Sequence, residues 1–180
     1  MKVAFTFDRV DSLSDAERAE IRELATLVYL PEIWADWFGF SIEWQMAEWC
    51  ARIRDAEGKL LAHVGLMQRQ GLCEGQSALI GGIGGVKTHP DARRCGHAAM
   101  GIRRAIEFFR DELKVAFITL VCEPYLIEFY SQFGFQEFTG TMFVTQRGER
   151  EPFTFMRVMT RGVEADTPLN GTIDLLGPPW

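Results

Sequence analysis

Gly84-Gly85-Val86-Lys87-Thr88-His89-Pro90-Asp91-Ala92-Arg93-Arg94-Cys95-Gly96-His97-Ala98 passes from an extended run through a loop into the start of a helix. Upstream, residues 77–88 read as a strand with four interior glycines, Gly81, Gly82, Gly84 and Gly85. Interior glycine marks a bulge or a place where a ligand comes close to the backbone. Downstream, Ala98, Ile102, Ala105, Ile106, Phe109 and Leu113 keep helical spacing for about four turns. A loop that closes on Gly96 before a helix presents free backbone N–H groups, which together with the helix dipole suit an anion such as pyrophosphate. Arg93 and Arg94 add charge where phosphate would sit.

Outward from this segment, residues 3–9 alternate like a half-buried strand. Ser14 and Glu17 form a capping box for a helix whose apolar face is Ile21, Leu24, Ala25 and Val28, ended by Pro31. Residues 49–54 and 60–68 read as a hairpin across a turn at 57–59, with a second turn at Glu74-Gly75-Gln76. Residues 115–122 read as a strand, 124–133 as a short helix opened by Pro124 and stopped by Gly134, and 135–146 and 153–160 as two closing strands with a turn at 146–151. Residues 161–180 read as a polar tail ending on Trp180. With no repeat and no linker, residues 1–180 are expected to form one mixed-sheet α/β domain.

The chain's 180 residues, 47% apolar and 12% aromatic, can fill one core and exclude disorder. A net charge of −6 argues against a general nucleic-acid coat. The amino terminus lacks a secretory apolar region, and no apolar run is long enough to span a bilayer. Cys50, Cys73, Cys95 and Cys122 are scattered without a CxxC pair, as are His63, His89 and His97, so buried thiols in a reducing cytoplasm are expected, and no metal. The charge is uneven. Residues 87–114 hold seven basic against four acidic groups, whereas residues 13–57 hold four against ten. Seven of the twenty-two aromatics fall between Tyr29 and Trp49, among Glu32, Asp36, Glu43 and Glu48. Acids beside aromatic faces suit a cationic amine; equally, the aromatics could be core and the acids a solvated helix face.

Arg93-Arg94-Cys95-Gly96-His97-Ala98 fits the pattern Q/R-x-x-G-x-G/A, and Phe129-Tyr130-Ser131-Gln132-Phe133-Gly134-Phe135 fits F-Y-x-x-x-G-F. In that order, around a glycine-bulged strand and a long helix, they resemble the GNAT superfamily of acyl-CoA dependent N-acyltransferases. The resemblance covers roughly residues 3–160. It implies a mixed, mostly antiparallel sheet of six to seven strands flanked by helices. Residues 61–69 and the terminal Gly177-Pro178-Pro179-Trp180 look most like the aminoglycoside 2'-N-acetyltransferases. Those carry acidic groups where this chain has Gly84 and Pro178, which turns the expected acceptor away from cationic sugars.

The resemblance further implies acetyl-CoA, or another acyl-CoA, as cosubstrate. Arg93, Arg94, Cys95, Gly96, His97 and Ala98 would bind its pyrophosphate, and Ile83, Gly84, Val86 and Thr88 its pantetheine arm. The Val86 N–H would serve the oxyanion, and Tyr130 would protonate the leaving thiolate. Glu32, Trp34, Asp36 and Trp180 would line the acceptor site for a small amine. Glu123, Asp36 and the terminal carboxylate are candidates for the base. No membrane or nucleic-acid partner is implied, and dimers are common in the superfamily. Other readings stay open: Tyr130 as a packed aromatic, His63 and His89 as strand and turn residues, and Cys95 as a loop thiol. A module that binds acyl-CoA with little catalysis, or a protein or peptide N-acetyltransferase, is the alternative function.

Overall fold

The structure, a computed structural model, describes residues 3–30, 32 and 36–180. Its spine is a long hairpin. Strand β3 (Leu60–Cys73) pairs antiparallel from Ala62 to its end with β4 (Gln76–Thr88), across a two-residue turn in which Glu74 and Gly75 take φ of +51° and +75°. That left-handed pair matches the twist of the strands it joins. On its other edge β3 carries β2 (Trp49–Arg54), which pairs β1 (Ala4–Arg9). Beyond β4 lie β5 (Phe117–Cys122), parallel to it, then β9 (Arg157–Gly162) and β6 (Gln136–Glu137). At the far end of β3 the sheet continues through β10 (Thr172–Asp174), β7 (Thr141–Gln146) and β8 (Glu149–Pro152).

Two cores form, one on each face. Helix α2 (His97–Phe108) lies on the first face, over Val64, Leu66, Ile83, Ile118 and Leu120. It can sit that close because its middle residue is Gly101, where a Cβ would lie 2.7 Å from Val64 Cγ2. The short helix α3 (Ile127–Ser131) shares this core through Tyr130. The second face buries Met67, Ile80, Phe117, Met142, Ile173 and Trp180. Helix α1 (Asp15–Val28), held by the expected Ser14–Glu17 capping box, is tied to this face by Arg52, which reaches Glu17 at 2.7 Å and Asp8 at 2.9 Å. Tyr29 closes α1, so the helix stops before Pro31, which lies outside the described residues.

The class is as expected, with a curled mixed sheet flanked by helices, but the sheet has ten strands rather than six to seven. Residues 135–146 are not one strand. β6 pairs β9 while β7 pairs β8 and β10, and the chain changes neighbours at Gly140, where a Cβ would stand 2.2 Å from the Gly171 carbonyl oxygen. Residues 153–160 likewise divide between an irregular turn and β9. The segment read as a tail is structural, since β10 enters the sheet between β3 and β7 and Ile173, Leu175 and Trp180 are buried. Among the described residues no helix is long and apolar enough to cross a membrane.

Candidate active site

β4 and β5 part company. Their pairing runs only from Ile80↔Phe117 to Ile83↔Leu120, although β4 continues to Thr88 and β5 to Cys122. At the fork β4 also bulges, because between the pairs His63↔Lys87 and Gly65↔Gly84 one residue of β3, Val64, faces two of β4, Gly85 and Val86. Gly85 takes φ of +55° there, a conformation that disfavours side chains. Its carbonyl oxygen accepts from His63 Nδ1 and from Lys87 Nζ, each at 3.0 Å, so the bulge is pinned from two sides. Burial pushes His63 down to about 4, helped by the charge of Lys87, and pushes the Lys87 ammonium down to about 8. Lys87 Nζ stands 5.8 Å over the Tyr29 ring. Ile83 is buried, while Gly84, Val86 and Thr88 are partly exposed along the fork.

The loop after β4 ends in a concavity. Arg94 and Gly96 have φ of +61° and +79°, and successive turns of this kind point N–H groups inward. Among the described residues no acceptor takes the N–H groups of Arg94 to Ala99; the first bond of α2 runs from Met100 N to Gly96 O. A Cβ on Gly96 would meet nothing within 4 Å, so the space in front of it is open. Arg93, Arg94 and Cys95 are exposed, while His97 is buried with neither ring nitrogen bonded among the described residues. Unclaimed amides, an open approach and two arginines fit a pyrophosphate. Cys95 Sγ makes one weak contact, to Arg93 O at 3.5 Å, and His89 caps the turn at Asp91 N, so neither has an arranged nucleophile's partners.

Tyr130, on α3, is buried and packed edge-on against Phe129 and Phe135. Burial pushes its phenol well above the ordinary value, and the neighbouring Cys122, Tyr29 and Tyr125 push the same way. Sequence spacing carries no signal for Tyr29 or Tyr125, which are brought there by the end of α1 and the turn after β5.

Opposite, on the second face, Trp180 floors the fork. Its indole covers Gly82, where a Cβ would lie 2.2 Å away, and Nε1 donates to Thr119 Oγ1 at 2.9 Å and to Thr119 O at 3.2 Å. Arg69 lies over the ring and donates to Pro178 O. Beyond this floor stand Trp37, stacked parallel on Trp44 at 6.1 Å, and Phe155, which touches both Trp37 and Phe38. Trp37 Nε1 donates to Glu123 Oε1 at 3.3 Å, just past the end of β5. Of the expected acceptor residues, Trp180 is therefore at the fork, whereas Glu32 and Asp36 are exposed at the surface and Trp34 lies outside the described residues.

The chain matches the acetyltransferase (GNAT) domain over residues 9–138 and belongs to that family. Comparison with curated proteins returns no match. Solved structures share the fold. An acyl-CoA N-acyltransferase from Pseudomonas aeruginosa is 19% identical with a TM-score of 0.62, covering 89% of this chain and 100% of its own. A GNAT family N-acetyltransferase from Escherichia coli in complex with CoA is 14% identical with a TM-score of 0.65, covering 97% and 89%. A GNAT family acetyltransferase from Brucella melitensis in complex with acetyl-CoA is 16% identical with a TM-score of 0.58, covering 94% of each chain. At these identities the likeness is one of fold.

Proposed function

We propose that this acetyltransferase moves an acyl group, acetyl first among them, from acyl-CoA to the primary amine of a small molecule. The observation that carries the reading is the forked strand pair leading straight to a loop of unclaimed N–H groups. When bound, the coenzyme supplies an activated thioester. The Arg94–Ala98 amides and the Arg93 and Arg94 guanidiniums would hold its phosphates. The edge of β4 from Gly84 to Thr88, freed from β5, offers backbone groups to an extended amide-containing arm. The Val86 N–H, next to the left-handed Gly85, would stabilise charge developing on the thioester oxygen.

Tyr130 would donate its proton to the departing thiolate, and burial favours the protonated phenol this requires. On the opposite face Glu123 would hold the incoming ammonium and pass its proton to water. No step forms an acyl-enzyme, so positioning would supply much of the rate. Gly84 and Pro178 stand where the aminoglycoside 2'-N-acetyltransferases carry acidic side chains, which favours a different amine from an aminoglycoside. The test is release of free thiol from acetyl-CoA in the presence of an amine panel. Amine-dependent release supports transfer to a small molecule. Tight coenzyme binding without release from any amine would instead support a binding module, and release only with peptides a protein acetyltransferase.

A further inference from the structure

Glu123 sits where an ammonium would be wanted, but its surroundings are not those of a polyamine site. Among the described residues its carboxylate has one hydrogen-bond partner, Trp37 Nε1, and no cation pairs with it. The nearby Arg157 is engaged by Glu137 at 3.3 Å. Around the carboxylate the walls are aromatic: Trp37 on Trp44, Phe40 edge-on to Trp37 at 5.4 Å, Phe155 against Trp37 at 5.8 Å, and Phe38 against Phe155 at 5.2 Å. Phe38 and Phe40 are 61% and 66% exposed, far more than rings that serve only a core. Beside them a depression of about 370 Å³ opens between Pro124, which follows Glu123, and the turn from Thr154 to Arg157.

We propose that the acceptor is a primary amine carrying an aromatic or similarly apolar tail, its ammonium on Glu123 and its tail on the shelf of Trp37, Phe38 and Phe155. This rests on the reading of the fork as an acyl-transfer site and narrows its substrate class. The Glu123 carboxylate matches one ammonium, and a ring is desolvated on the shelf, whereas an amino sugar would bury hydroxyls against indole and phenyl faces. The shelf abuts the open fork through Glu123, so the amine nitrogen and the reacting carbon can share one cleft.

Calorimetry on the protein with CoA present separates recognition from turnover. 2-Phenylethylamine is expected to bind at least tenfold more tightly than ethylamine, and more tightly than spermidine or kanamycin. E123Q should weaken 2-phenylethylamine at least tenfold and leave CoA affinity unchanged. F38A, at an exposed ring whose loss leaves the core intact, should erase most of the advantage over ethylamine. Equal affinity for 2-phenylethylamine and ethylamine, or tighter spermidine or kanamycin, overturns the proposal. So does a dimer that F38A dissociates together with absence of amine binding, since the shelf then belongs to a second copy. Absence of thiol release despite tight 2-phenylethylamine binding would count against catalysis while leaving this recognition standing.

Discussion

Tyr130 carries the sharpest chemical assignment, and its environment limits how it can work. Its burial keeps the phenol protonated throughout the ordinary pH range, so it should not produce the alkaline limb of a rate profile. Tyr130→Phe is expected to lower kcat by well over tenfold with coenzyme Kd unchanged, read by steady-state kinetics and calorimetry; equal turnover would remove the role. His63 makes a different prediction. Its folded value, about 4, lies below its ordinary 6.5, so between these values the unfolded chain binds the extra proton and stability falls as pH is lowered. The contribution is present above about pH 6.5 and amounts to roughly 3 kcal/mol. Urea midpoints should therefore drop from pH 7 to pH 4.5, and His63→Gln should flatten the slope; an equal slope in the variant would contradict this. At this scale Tyr130, Gly96 and the arginines stand out as candidates because they sit in local patterns. Composition shows that Glu32 and Asp36 are acidic, but not that both are exposed, nor that Glu123 meets Trp37 just past the end of β5.

Among the elements, the strand–loop–helix at residues 84–98 was readable because glycine, proline and helical spacing are all local signals. Where β4 leaves β5 was not, since an ending ladder depends on a partner more than thirty residues away in sequence. β10 escaped for the same reason. A three-residue strand has no period of its own, and its place is set by gaps in β3 and β7. Gly82→Ala tests the floor. The added methyl would stand 2.2 Å from the indole, so either Trp180 leaves or the sheet shifts. Overpacking of this kind costs about 1–3 kcal/mol. A lower Tm is expected, together with a red-shifted tryptophan emission that Trp180→Phe abolishes; an unchanged Tm would refute the packing. The loop is tested by Gly96→Glu. The space is open, but the left-handed backbone penalises a side chain and the new carboxylate repels phosphate. CoA affinity should fall more than tenfold by calorimetry with the helical signal preserved, and wild-type affinity would refute the pyrophosphate assignment.

Over the whole molecule, the featureless charge of −6 resolves into two surfaces. Basic residues crowd the loop and first turns of α2, while Glu123 faces the aromatic shelf on the other side of the sheet. Strand, fork and helix lie between them, so a polyanionic donor and a cationic acceptor would approach from different faces and meet where β4 and β5 separate. Following free thiol while acetyl-CoA and 2-phenylethylamine are varied together tests that arrangement. The prediction is amine-dependent release that saturates in both reactants and is reduced well over tenfold in Tyr130→Phe. Release that is absent with every amine, or that proceeds equally in the variant, would contradict it.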